Sequence, residues 1–145
     1  MEHILLIIEK ATDGELWGRV TLDDNLITES ASKLELLQKK IKKLLHDFHD
    51  LDPMAVHFDI AYDLTAIFSE KKYLNLSEVA QHLGINRSLM AQYAAGKKFP
   101  STERAKDIEN AIHELGRDLL GVKIAVRGKR LKQANKVKKK VKQKA

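Results

Sequence analysis

The chain has 145 residues, 43% of them apolar and 32% charged, enough for one core or two small ones but not for a large catalytic barrel. It contains no cysteine, which excludes disulfide frameworks, thiolate zinc sites and cysteine nucleophiles together and makes the reducing cytoplasm the expected compartment. The longest apolar run, Ile4 to Ile8, spans five residues. A membrane-spanning helix needs about twenty, so no membrane segment is expected.

The net charge of +6 is distributed unevenly. Residues 1–61 carry seven basic and twelve acidic side chains, residues 62–126 nine and eight, and residues 127–145 ten basic and none acidic. An acidic front, a near-neutral middle and a basic end suit a protein with one part on nucleic acid and another on a basic partner.

His3 to Glu9 is rich in isoleucine, and Leu16 to Leu22 alternates Leu16, Gly18, Val20 and Leu22 against Trp17, Arg19 and Thr21. The Asp13-Gly14 turn between them predicts a β-hairpin. Asp23-Asp24-Asn25 predicts a second turn into a short strand, Leu26 to Glu29. Leu34, Leu37, Ile41, Leu44, Leu45 and Phe48 then recur at spacings of three and four, which predicts a long amphipathic helix with Ser30 or Ser32 as N-cap. Asp52-Pro53 is expected to end it. Val56, Phe58, Ile60 and Tyr62 alternate with His57, Asp59 and Ala61, the pattern of a fourth strand. The fold class is thus α+β, a four-stranded sheet covered on one face by one long helix. At about sixty residues such a unit is marginal alone, and dimerisation would remedy that. Trp17 lies opposite the apolar face, either as core under another register or as part of an exposed partner-binding patch.

From Asp63 onward the pattern is helical. Asp63 is positioned to cap a helix carrying Leu64, Ile67 and Phe68; Asn75 or Ser77, one carrying Val79, Ala80 and Leu83; Asn86, one carrying Leu89, Met90 and Tyr93. Gly84 and Gly96 supply exits. Ser101 caps a longer helix in which Ala105, Ile108, Ala111, Ile112, Leu115 and Leu119 share a face. Gly121 ends it, and Val122 to Val126 suit a short edge strand. The expected division is an α+β unit at 1–61, an all-α unit at 62–126 and a basic disordered tail at 127–145.

The stretch Ser77 to Ser101 is the most informative. Ala80, Gly84 and Ile85 occupy the places where two steeply crossing helices need a small contact residue, a flexible corner and a buried aliphatic. In the second helix Leu89, Met90 and Tyr93 on the buried side leave Arg87, Ser88, Ala91 and Gln92 free, as a helix that enters a major groove requires. The stretch resembles the helix-turn-helix of the phage Cro/CI repressor superfamily in its Glu78-Val79-Ala80 opening, its Leu83-Gly84-Ile85 turn and its closing Gly96-Lys97-Lys98-Phe99-Pro100. Ala94 departs from the acidic residue usual there.

On this reading the DNA-binding set is Asn86, Arg87, Ser88, Gln92, Lys97 and Lys98. Arg87 suits bidentate contact with guanine, Gln92 suits adenine, Ser88 a base edge or a phosphate, and the two lysines the backbone. Two half-sites about 34 Å apart call for a homodimer or higher homo-oligomer.

The order of the parts, with Ile108 to Gly116 following the Gly96–Pro100 block, resembles the HicB-type antitoxins, in particular the Bacteroidetes-like branch. The resemblance runs from residue 2 to about 126. It implies a non-catalytic, partial ribonuclease-H-like front domain that masks a HicA-like mRNA-cleaving toxin, together with a dimer that binds double-stranded operator DNA and represses its own operon. Residues 22–30 lack the glycines usual after the hairpin in that family.

No enzyme activity, cofactor or metal site is expected. His46 and His49, beside Asp47, Asp50 and Asp52, sit at a helix end without a third ligand fixed nearby, and His3, His57, His82 and His113 are isolated in sequence. Two rival readings are a ribonuclease-H-like nuclease using Asp59 and Asp63 with a DNA-targeting module, and a protein-interaction adaptor.

Overall fold

The computed structural model describes residues 1–127; the tail expected at 127–145 lies outside the described residues save for Arg127. Strand β1 (Glu2–Lys10) and β2 (Leu16–Leu22) form the expected hairpin. Its turn closes through Gly14, whose N–H donates to Ala11 O at 3.0 Å and whose φ of +84° glycine adopts without a side-chain clash. Asp23 and Asp24 both have positive φ, as a two-residue type I′ turn demands, and lead into β3 (Asn25–Ala31), two residues longer at its C-terminal end than expected.

Helix α1 (Leu34–His49) follows. Its N-cap is Lys33, in extended geometry and without a side-chain cap bond, rather than Ser30 or Ser32. Pairing of Ser30 with Trp17 and of Ala31 with Leu16 keeps the chain extended past the first of those serines. Nor does Pro53 end the helix. Asp50 has already done so in the left-handed region (φ 56°), its N–H donating to His46 O at 3.1 Å. Pro53 instead opens a 3-10 turn (Pro53–Ala55) capped by Asp52, whose carboxylate accepts from Met54 N–H. Strand β4 (Val56–Tyr62) completes a mixed sheet of order β3-β2-β1-β4, antiparallel except for the parallel pair β1/β4.

Since β3 and β4 run the same way on opposite edges, their connection must cross a face of the sheet. Helix α1 makes that crossing and buries Leu37, Ile41 and Leu45 completely against Ile4, Leu6, Ile8, Leu16, Val20, Val56 and Phe58. Burying each such side chain contributes about 1.5–3 kcal/mol. The closest approach is over Gly18, where a Cβ would stand 3.0 Å from Ile41 Cδ1, Leu37 Cδ2 and Leu6 Cδ1 at once. The opposite face carries Leu5, Trp17 and Leu26, exposed by 54%, 41% and 65%. Trp17 therefore belongs to an exposed patch and not to the core.

Four further helices follow: α2 (Leu64–Glu70), α3 (Leu76–Leu83), α4 (Arg87–Ala94) and α5 (Thr102–Leu120). The expected boundary at 61/62 falls inside β4, and no linker follows it. Asp63 N–H extends the parallel ladder by donating to Ile8 O at 2.8 Å, while its carboxylate caps α2 by accepting from Thr65 N–H and Oγ1. Thr65 Oγ1 in turn accepts from Lys10 N–H, and Ala66 is buried with the residues of the sheet core.

By packing, the chain divides into two compact units, Met1–Ile108 and a second that begins at Glu109, so that α2, α3 and α4 belong with the sheet. Residues 122–126 form no strand; Val122, Ile124 and Val126 are exposed. Among the described residues no helix is long and apolar enough to cross a membrane.

Gly18→Val should lower stability by about 1–3 kcal/mol through overpacking under α1. Urea unfolding followed by circular dichroism reads this as a lower midpoint, and an unchanged midpoint would contradict the close approach.

Candidate nucleic-acid interface

Two eight-residue helices joined by a sharp corner form the candidate interface. Helix α3 starts at Asn75, whose Oδ1 accepts from Ser77 N–H at 2.9 Å and Glu78 N–H at 3.2 Å; Ser77 is not the cap. Val79 and Ala80 are buried. At its C-terminal end Ile85 N–H donates to Ala80 O and Gly84 N–H to Gln81 O, the bond pair of a Schellman motif, with Gly84 at φ +71°. A Cβ at Gly84 would meet no atom within 4 Å. Glycine is required there by backbone geometry rather than by space.

Asn86 then caps α4, its Oδ1 accepting from Ser88 N–H at 2.7 Å. This satisfies one of the open donors at the helix start and commits the Asn86 acceptor to the protein. Met90 is fully buried and Tyr93 9% exposed, while Arg87 and Ser88 are exposed at the opposite side of the first turn. Arg87 Nε donates to Ser77 Oγ. That bond steadies the side chain across the corner and leaves the two terminal nitrogens of the fork for a ligand.

Ala91 and Gln92, expected to be free, are half-buried. Helix α4 packs against both α2 and α3, and two neighbours cover more of its circumference than the side marked by Leu89, Met90 and Tyr93.

Beyond α4 the chain folds back on itself. Gly96, at φ +74°, approaches Thr65 closely enough that a Cβ would lie 3.3 Å from its Cγ2. Lys97 and Lys98 N–H both donate to Gln92 O, at 2.9 and 3.3 Å. These bonds hold the loop against the end of α4 with both lysine side chains exposed. Ser101 Oγ accepts from Arg104 N–H at 3.1 Å and so starts α5, as expected. Of the expected set Asn86, Arg87, Ser88, Lys97 and Lys98 are exposed, but Asn86 is engaged as a cap, and Gln92 is partly withdrawn.

Ser77 was not among the expected site residues. Its signal is only visible once α3 and α4 are folded against each other, ten residues apart in sequence. Four of the histidines and aspartates at the end of α1 serve local structure: Lys43 pairs with Asp47 at 3.7 Å, His46 Nδ1 meets Leu51 O at 3.3 Å, and Asp50 and Asp52 act as caps. Of the carboxylates weighed for a nuclease, Asp63 caps α2, and Asp59 faces His3 at 3.2 Å. No protein-family model, curated protein or solved structure matches the chain.

Asn86→Ala should cost about 1 kcal/mol in stability, whereas Asn86→Asp should largely preserve it. Thermal or urea denaturation of the two variants separates a capping role from a purely ligand-binding one, since the latter would leave both variants as stable as the parent.

Proposed function

We propose that the chain is a sequence-specific DNA-binding transcriptional regulator of the HicB-like antitoxin type, whose α3–α4 pair acts as a Cro-like helix-turn-helix. The observation that carries this reading is the first turn of α4. Arg87 and Ser88 stand exposed on it, while Met90 and Tyr93 anchor the same helix inside and Gly84 makes the corner. A groove-reading helix needs polar side chains near its N-terminus, amide donors that favour phosphate, and a rigid base.

Within that reading Arg87 reads a base by a bidentate contact, Ser88 reads a base or holds a phosphate, and Lys97 and Lys98 hold the backbone. Gln92 contributes at the margin of the groove. A homodimer supplies the second half-site. Leu119, Leu120, Val122, Ile124 and Val126, each at least 58% exposed, form an apolar stretch suited to a second copy.

Neutralisation of a HicA-like toxin by the first sixty residues is the finer part of the proposal. It is supported by their acidic balance and by Leu5, Trp17 and Leu26 on the uncovered sheet face, a surface suited to a basic protein with apolar anchors. The meander of three antiparallel strands, the crossing helix and the parallel fourth strand support the partial ribonuclease-H-like architecture expected of that half.

The test is sequencing of random DNA fragments selected by the purified chain. A defined, two-fold-related motif is expected, and absence of any salt-sensitive binding would turn the reading to a protein-interaction adaptor. Arg87→Ala should relax preference at one position of each half-site by about 1–3 kcal/mol. Lys97→Ala should weaken all sites similarly and reduce the slope of log affinity against log salt by about 0.9. Electrophoretic shifts at several salt concentrations measure both.

A further inference from the structure

The uncovered face of the sheet carries a group of side chains that the proposed DNA-binding role does not use. Parallel pairing sets His3 directly opposite His57, and Asp59 follows two residues along β4, so all three project from the same face. His3 Nδ1 lies 3.2 Å from Asp59 Oδ1, and His57 Nε2 lies 3.7 Å from that same oxygen. The two imidazole rings are 4.9 Å apart between centroids, and one ligand atom from each of the three residues falls within 4.8 Å of the others. Among the described residues this is the one group of three His, Asp or Glu side chains so gathered.

From this geometry we infer that His3, His57 and Asp59 form a binding site for one divalent cation of the zinc type. Around a tetrahedral Zn²⁺ with bonds of about 2.0–2.1 Å, donor atoms stand about 3.3 Å apart. Two of the separations, 3.2 and 3.7 Å, are close to that value and the third is within 4.8 Å, a gap that rotation of the three exposed side chains would close. Two imidazoles and one carboxylate are a donor set that suits zinc and its late first-row neighbours rather than magnesium or calcium. Three protein ligands leave a fourth position for water or an outside ligand.

The ligand spacing is held from beneath the sheet. Ile4, Val56 and Phe58, on the other face of the same two strands, are each at most 6% exposed. A one-residue slip of β4 would bury His57 and Asp59 and expose Val56 and Phe58, so the register that fixes the core also fixes the donors. A site built on paired strands is better defined than one on a loop.

The experiment is isothermal titration of Zn²⁺ into the full chain, freed of chelator and of any polyhistidine tag, beside His57→Gln, Asp59→Asn and, as control, His49→Gln. His57 and Asp59 are exposed and His49 is half-buried, and circular dichroism checks that each variant retains the parent fold. The inference expects one Zn²⁺ per chain, affinity lowered at least about tenfold in His57→Gln and Asp59→Asn, and no change in His49→Gln; loss of even an outer-shell partner commonly costs about 10–100-fold. A parallel expectation is a Zn²⁺-dependent rise in melting temperature in the parent that is reduced in the two ligand variants. Absence of saturable binding overturns the inference. So does binding that survives both ligand variants, or binding that His49→Gln removes. DNA binding by the same preparations is read separately and bears on neither outcome.

Discussion

The parallel register between β1 and β4 is the constraint on which most else depends. It is the one pairing in the sheet between strands that no hairpin joins, so nothing in the local chain sets it except which side chains must leave water. Placing Ile4 beside Phe58 turns the buried apolar sets of both strands, Ile4, Leu6 and Ile8 with Val56 and Phe58, toward α1. The same register brings Asp63 N–H to Ile8 O, which delivers the chain into α2 at a fixed place beside the sheet. It also sets the outward row of His3, His57 and Asp59. One side-chain preference, expressed over seven pairs of residues, thus sets the core, the path into the helices and the outer cluster.

Much of this was legible before any coordinates. The alternation in Leu16–Leu22 and Val56–Tyr62 and the three-and-four spacing from Leu34 to Phe48 mark strands and helix, because burial of one face demands those periods. Gly14, Gly84 and Gly96 mark left-handed backbone, and each has a positive φ. Asp63, Asn86 and Ser101 are caps read correctly from their place before helical runs. Cap choices that depend on tertiary pairing were less legible. Ser30 is a good cap by type, but it is held extended by Trp17 across the sheet, and the helix begins after Lys33 without a side-chain cap.

The candidate sites divide along the same line. The outward first turn of α4 follows from its own periodicity, so Arg87 and Ser88 could be nominated from sequence. The half-burial of Gln92 depends on α2 reaching α4, which no local pattern states. Histidines 3 and 57 look isolated because 54 residues separate them. Their polar phase within two strands is visible in the sequence, but that those strands are neighbours, and parallel, is not.

The join at Asp63 has a practical consequence for anyone recombining this protein with others. Its amide closes the ladder to Ile8, its carboxylate starts α2, and the Thr65 hydroxyl it receives also takes a bond from Lys10. A chimera spliced just after Tyr62 would lose both bonds that tie this join to β1, Asp63 to Ile8 and Thr65 to Lys10. Transplanting the helical half onto another scaffold therefore means carrying the first and last strands with it, or rebuilding their hold on the donor's first helix.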